Sequence, residues 1–315
     1  MRKKALLISS IATTFFASAL SGYFLSNKLM YIKQKDADFI LERETKAKRF
    51  NKAWFDDCPK ERITLQSPNG YSLSGLFLKP LKTNDTIIIS HGVTENKTNS
   101  IKYAQMFNNL GFNTVVYDHR RHGETGGKTT SYGYYERHDL QQFVHYVREH
   151  IGPDATLGIH GESMGAATTL LYAGTIADEA DFYIADSAFS DFRQLLYRVV
   201  KSAISIELKL AVYVTDLLLR LRDGYMSKNI RPILAVENIE KPVLFIHNTN
   251  DTFIPCEMTK QMYEVKKGPK MLHLFDKGDH TQAFNETPDE YERIVRIFIH
   301  QFVPRRSEVL NETLS

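Results

Sequence analysis

The sequence predicts an α/β fold, a mostly parallel β-sheet with helices packed on both faces. Three observations carry this. Short apolar runs recur at Thr86–Ser90, Thr114–Tyr117, Thr156–His160, Phe182–Ala185, Val243–His247 and Met271–Phe275, each about the length of a buried strand. Segments with helical spacing separate most of them, the alternation that builds a sheet covered on both sides. The composition, 43% hydrophobic and 24% charged over 315 residues, supplies a sizeable core and excludes a disordered, collagen-like or disulfide-stapled chain.

The first element is an apolar run. Arg2, Lys3 and Lys4 precede Ala5–Leu25, 21 residues without a charge. A helix of that length rises about 1.5 Å per residue and spans roughly 30 Å, enough to cross the hydrocarbon core of a bilayer. A cleaved signal peptide, with Ala17-Ser18-Ala19 as its cleavage site, and a buried core helix are the competing readings. Length favours an uncleaved transmembrane signal anchor over residues 1–30. A short basic tail of this kind stays in the cytoplasm, which places the body outside a cell membrane crossed once. Lys28, Lys33 and Lys35 on the far side weaken that bias. Residues 1–60 carry 12 basic and 6 acidic residues, whereas the rest of the chain is mildly acidic.

Residues 31–60 read as a charged helical stalk, 61–303 as the folded body and 304–315 as a tail. Arg62–Gln66 and Tyr71–Lys79 flank Ser67-Pro68-Asn69-Gly70 and read as a hairpin. Ser100–Leu110 has helical spacing and stops at Gly111. Glu136–His150 and Ser163–Thr175 are the next helices, and Glu257–Lys266 and Asp289–Phe302 the last two. Between the runs at 182–185 and 243–247 the alternation breaks. Asp191–Glu237 is helix-prone with no clear strand and carries Leu195, Leu196, Val199, Val200 and Leu217-Leu218-Leu219. It reads as ordinary helices packed on the sheet and as a short cap, 191–237, whose apolar face lines a substrate pocket. The two readings are compatible.

Gly161-Glu162-Ser163-Met164-Gly165 is a G-x-S-x-G element, weak on its own. Here it follows an apolar strand and opens a helix, so its glycines permit the tight turn that lifts the Ser163 hydroxyl clear of the sheet. A serine hydroxyl needs a base, and the base needs an orienting acid. Asp251 follows the strand Val243–His247, and His280 follows the strand Met271–Phe275. Loops after the carboxyl ends of parallel strands converge on one edge of the sheet, so Ser163, Asp251 and His280 can meet there.

With these pieces in order, the chain resembles serine hydrolases of the α/β-hydrolase superfamily. Within it, the chain is most like N-terminally anchored cell-surface or serine aminopeptidase-like hydrolases with a short helical cap. The resemblance covers roughly Glu61–Val303. It rests on Ser90-His91-Gly92, on Tyr117-Asp118-His119-Arg120-Arg121-His122-Gly123, on the elbow, and on Asp251 and His280. It implies an eight-stranded sheet and a catalytic triad of Ser163, Asp251 and His280. It also implies an oxyanion hole formed by the backbone N–H groups of Met164 and Val93. The Gly-rich run of some lipases is reduced here to Gly92.

Asp186, after the run at 182–185, is the rival acid, and His91, His247 and His273 are the rival bases. The loop at Asp118, His119 and His122 reads as structural. His122-Gly123-Glu124-Thr125-Gly126-Gly127-Lys128-Thr129 falls short of a phosphate loop, because His122 stands where that motif requires glycine. Nucleotide binding is therefore not expected. The net charge of +3 makes no case for nucleic acid. No cofactor or metal is expected, since no metal-binding motif is present. Cys58 and Cys256 are too few for a disulfide framework, and their pairing stays open. The expected activity is hydrolysis of carboxylic esters through an acyl-enzyme, on a small-molecule ester or lipid-like acyl substrate. The alternatives are acyl transfer, thioester or peptide cleavage by the same triad, or a non-catalytic binding protein on this fold.

Overall fold

The computed structural model describes residues 17–204 and 209–303; the first part of the N-terminal apolar run and the tail at 304–315 lie outside these. Eight strands form one sheet: β1 (Lys60–Gln66), β2 (Ser72–Leu78), β3 (Thr86–Ser90), β4 (Asn113–Tyr117), β5 (Leu157–Glu162), β6 (Phe182–Asp186), β7 (Val243–Asn248) and β8 (Lys270–Phe275). Their order is β1-β2-β4-β3-β5-β6-β7-β8. β2 runs antiparallel to β1 and β4, and every later pairing is parallel. All residues of β3 to β7 are buried, which is why these strands read as unbroken apolar runs.

The described helices are α1 (residues 17–30), α2 (Ala37–Lys46), α3 (Lys52–Asp57), α4 (Lys97–Asn109), α5 (Glu136–Ile151), α6 (Met164–Thr175), α7 (Phe192–Ile204), α8 (Lys209–Asp223), α9 (Pro232–Ala235), α10 (Cys256–Val265), α11 (Ala283–Glu286) and α12 (Pro288–Phe302). Alternate strand side chains feed two cores. Ile88, Val115 and Ile159 face Phe143 and Val147 of α5 and Leu170 of α6. Ile87, Ile89 and Val116 face Tyr103 and Phe107 of α4 and Ile294 and Phe298 of α12. The α/β class and its short helical insertion between β6 and β7 are thus as expected. α4 begins three residues before its apolar spacing does. The Asn96 side chain accepts the Thr98 N–H at 2.9 Å, and Asp118 Oδ1 accepts the Lys97 N–H at 2.8 Å. That cap satisfies N–H groups a helix start leaves open.

The N-terminal expectation needs correction. Among the described residues no helix is long and apolar enough to cross a membrane. The anchor, the single-pass extracellular placement, the membrane partner and the likeness to anchored hydrolases in particular therefore lose their support. The described part of the run, α1, lies on the protein itself. Ser18, Gly22, Ser26, Leu29 and Met30 are buried. Thr215 Oγ1 donates to the Gly22 carbonyl at 3.3 Å, and Arg222 donates to Ser26 Oγ at 3.0 Å and Asn27 Oδ1 at 2.7 Å. Gly22 within the run and Ser26 just after it are where α8 meets α1. An added Cβ on Gly22 would stand 2.6 Å from Val214 Cγ1. Residues 2–16 of the run and its basic flank lie outside the described residues. Cys58 and Cys256 are free thiols.

Asp139, on α5, ties that helix to the hairpin: Ser67 Oγ donates to it at 2.5 Å and the Tyr71 hydroxyl at 2.6 Å. Burial pushes its carboxyl up to about 7, against the pull of those two bonds. The folded chain therefore holds a proton that the unfolded chain releases near pH 4. This contribution to stability is full below about pH 4 and is lost as pH rises through about 7. Asp139→Asn is expected to flatten the fall in stability across that window. Urea unfolding at stepped pH reads the slope, and identical slopes in both proteins would refute the assignment.

Candidate active site

Strand order reverses between β3 and β5: the chain passes from β3 outward to β4, then returns to place β5 on the other side of β3. The loops leaving β3 and β5 diverge at that point and open a crevice at the carboxyl edge of the sheet. Ser163 follows β5 and begins α6 with φ 55°, a left-handed backbone that a non-glycine residue adopts only under constraint. The constraint is the closeness of the chain around it. A Cβ on Gly165 would lie 2.0 Å from the Ser90 carbonyl oxygen, and one on Gly161 would lie 2.4 Å from the Gly165 oxygen. The Ser163 N–H donates to the Asp186 carbonyl at 2.8 Å, fixing the turn to β6.

The Ser163 hydroxyl lies 2.8 Å from His280 Nε2, and His280 Nδ1 lies 2.6 Å from Asp251 Oδ2. A carboxylate only accepts hydrogen bonds, so Nδ1–H donates to Asp251 and the Nε2 lone pair faces the hydroxyl proton. Asp251 also accepts the N–H groups of Phe253 and Ile254 on Oδ1, at 2.9 and 2.8 Å, and lies 3.0 Å from His247 Nε2. Burial pushes the Asp251 carboxyl up, but the bonds from His247 and His280 outweigh it and hold the group well below the usual carboxylate range. The loops after β7 and β8 are stitched together: Asp279 accepts the Thr252 N–H at 2.9 Å, and Asn250 Nδ2 donates to the Asp276 carbonyl at 2.7 Å.

Three of the four rivals, Asp186, His273 and His91, sit elsewhere. Asp186 is fully buried beneath the elbow, bonded by Ser187 Oγ at 2.8 Å and by the Tyr291 hydroxyl at 3.1 Å. Burial and the neighbouring Glu162 raise its carboxyl to about 6. His273 lies in β8, with Nε2 3.5 Å from Glu290. His91 lies beside the β3 loop, where His91 Nε2 accepts the His119 N–H at 3.0 Å and His122 Nε2 accepts the Thr94 N–H at 3.3 Å. Burial lowers the pKa of His91, His119 and His122, and the rings of His91 and His122 brace the loop by accepting those backbone N–H groups. Val93 and Met164 both line the cavity in front of Ser163.

That cavity measures about 230 Å³ and is walled by Phe189, Phe192, Leu195, Leu196, Val199 and Ile254 among others. Phe253 closes one side, its ring edge-on to His280 at 5.2 Å between centroids. Two participants were invisible to motif reading. His247, weighed above only as a rival base, is a second partner of Asp251; its position four residues before the acid, at the end of β7, is the one signal available. The wall supplied by α1 had no signal as such, because an apolar run does not say what it is apolar against.

The strand order, the elbow and the hydroxyl–imidazole–carboxylate chain define an α/β hydrolase. Residues 82–231 match the family described as serine aminopeptidase, S33. The chain is 40% identical over 301 residues to the uncharacterized protein YqkD of Bacillus subtilis, covering 95% of this chain and 97% of that one, and it belongs to the same family. It is 26% identical over 240 residues to the uncharacterized protein YfhR of Escherichia coli K12, covering 73% of this chain and 77% of that one. The structure of the Pyrococcus furiosus esterase Pf2001 has the same fold, with a TM-score of 0.64 at 22% identity, covering 80% of this chain and 96% of that one. This kinship supports a serine-hydrolase type of mechanism in general.

Proposed function

We propose that the protein cleaves carboxylic esters, with Ser163 as nucleophile, His280 as general base and acid, and Asp251 as the orienting carboxylate. The observation that carries this reading is the continuous bonded path from Ser163 Oγ through His280 to Asp251, opening on an apolar cavity. His280 Nε2 takes the hydroxyl proton as Ser163 attacks the acyl carbonyl, and then returns it to the leaving alcohol. Water, deprotonated by the same nitrogen, releases the acid. The N–H groups of Val93 and Met164 are assigned to the oxyanion, an interaction worth roughly 3–4 kcal/mol for each donor lost. The hydrolase body is assigned to 61–303, with the helices at 191–237 as the cap over the site.

An ester is favoured over an aminopeptidase substrate by the lining of the cavity. A free α-ammonium group brought into an apolar site needs a carboxylate beside it. Among the described residues lining the cavity there is no Asp or Glu, and the sole charged side chain is that of Lys28. A fluorophosphonate probe tests the reading directly. Intact-mass analysis of the full-length protein is expected to show one adduct, mapping to Ser163 and absent in His280→Ala. A folded protein that takes no adduct would put the non-catalytic alternative in its place.

A further inference from the structure

We propose that the N-terminal helix is part of the substrate site, with Leu25 and Leu29 setting the length of acyl chain that Ser163 accepts. The inference rests on the ester-hydrolase reading and adds a specificity element that lies outside both the hydrolase body and its cap. Leu25, Lys28, Leu29 and Ile32 line the same cavity as Ser163 and Met164. Leu25 and Leu29 are four residues apart on α1 and so share one face of it. Leu29 and Met30 belong to one apolar cluster with Tyr132, Met164, Phe192, Leu195 and Leu196.

This wall is held in place by directional bonds as well as by packing. The Tyr132 hydroxyl donates to the Leu29 carbonyl at 3.2 Å, the Thr130 N–H to the Met30 carbonyl at 3.0 Å, and Arg121 Nη1 to the Ile32 carbonyl at 2.8 Å. Arg222 reaches Ser26 and Asn27 from α8. Just beyond, the Lys35 N–H donates to the Thr94 carbonyl at 2.9 Å, and Lys35 Nζ pairs with Glu95. The segment that walls the cavity therefore also grips the loop carrying Val93. A cavity of about 230 Å³ is smaller than the ~300–1,000 Å³ that encloses a drug-sized ligand, so it fits an acyl chain rather than a whole lipid. In a space this small, one side chain of the wall decides how many methylenes enter. Lys28, which also lines the cavity, is exposed, so the apolar part of this wall comes from Leu25, Leu29 and Ile32.

The test compares kcat/KM of the full-length protein for p-nitrophenyl acetate, butyrate, hexanoate and octanoate. Leu29→Ala is expected to raise the octanoate-to-butyrate ratio by about tenfold and Leu29→Phe to lower it by about tenfold, the discrimination one or two methylenes bring in an apolar pocket. The change should be largest for octanoate and smallest for acetate, so the ratio between esters is the quantity the test reads. Leu25→Phe, at a half-buried position where added bulk disturbs less packing, is expected to lower the same ratio and keeps the proposal testable if Leu29→Ala does not fold. A ratio that stays constant in Leu25→Phe and Leu29→Phe, in protein that still takes the phosphonate on Ser163, would overturn this inference and leave the esterase reading standing. Absence of the phosphonate adduct in the unaltered protein would overturn both.

Discussion

Ser163→Ala is expected to lower kcat for p-nitrophenyl butyrate by roughly a millionfold, the loss seen when the nucleophile of such a relay is removed. The side chain removed is the group 2.8 Å from His280 Nε2; the imidazole, its bond to Asp251 and the apolar cavity all remain. The backbone should tolerate the change. Alanine and serine pay the same steric penalty at φ 55°, and among the described residues Ser163 Oγ bonds only His280. Thermal unfolding is therefore expected to shift by no more than a few degrees. Activity within tenfold of the unaltered protein, with the fold intact, would remove Ser163 from the chemistry.

Asp251→Asn is expected to cost about ten-thousandfold in kcat. The carboxylate accepts the His280 Nδ1–H, the two N–H groups of Phe253 and Ile254, and a bond from His247. An amide keeps one acceptor oxygen and turns an NH₂ toward one side or the other. His280 then loses the partner that holds Nδ1 protonated, and the Nε2 lone pair no longer faces the serine. The paired control is Asp186→Asn. Asp186 is also a buried carboxylate, at the end of a central strand, but its side-chain bonds go to Ser187 and Tyr291, and it is its backbone oxygen that accepts the Ser163 N–H. Its loss is expected to change stability more than kcat. Kinetics of the two variants side by side decide the matter: a ten-thousandfold loss in Asp186→Asn with Asp251→Asn near normal would reverse the assignment.

Much of this site was legible in the chain because the information is local. β3, β5 and β7 are apolar runs, since both faces of a central parallel strand are covered. The elbow is legible because only glycine allows the approach of Ser90 and Gly165 that the turn requires. Asp251 and His280 stand after consecutive strands in the order Ser, Asp, His, and loops at one sheet edge have few places to go. The choice between Asp186 and Asp251 was not local. Both follow a strand, and what separates them is which way each side chain turns once β6, β7 and β8 lie side by side.

The N-terminal segment shows the same limit more sharply. Hydropathy records that residues 5–25 avoid water, and a lipid bilayer, a neighbouring helix and a substrate cavity all answer that requirement equally well. In the described part, the answer came from donors spread along the chain, Tyr132, Arg121, Thr215 and Arg222, and from an apolar face on α7 that needed covering. By itself, then, the sequence determined the class of fold and the candidate nucleophile, acid and base, because each is set by residue types at short range or by strand order. The tertiary structure alone decided which carboxylate meets His280, that His247 shares it, and that the N-terminal helix lies against the cavity. Those outcomes depend on which surfaces meet after the sheet has formed, and contacts between distant segments leave no periodicity in the chain.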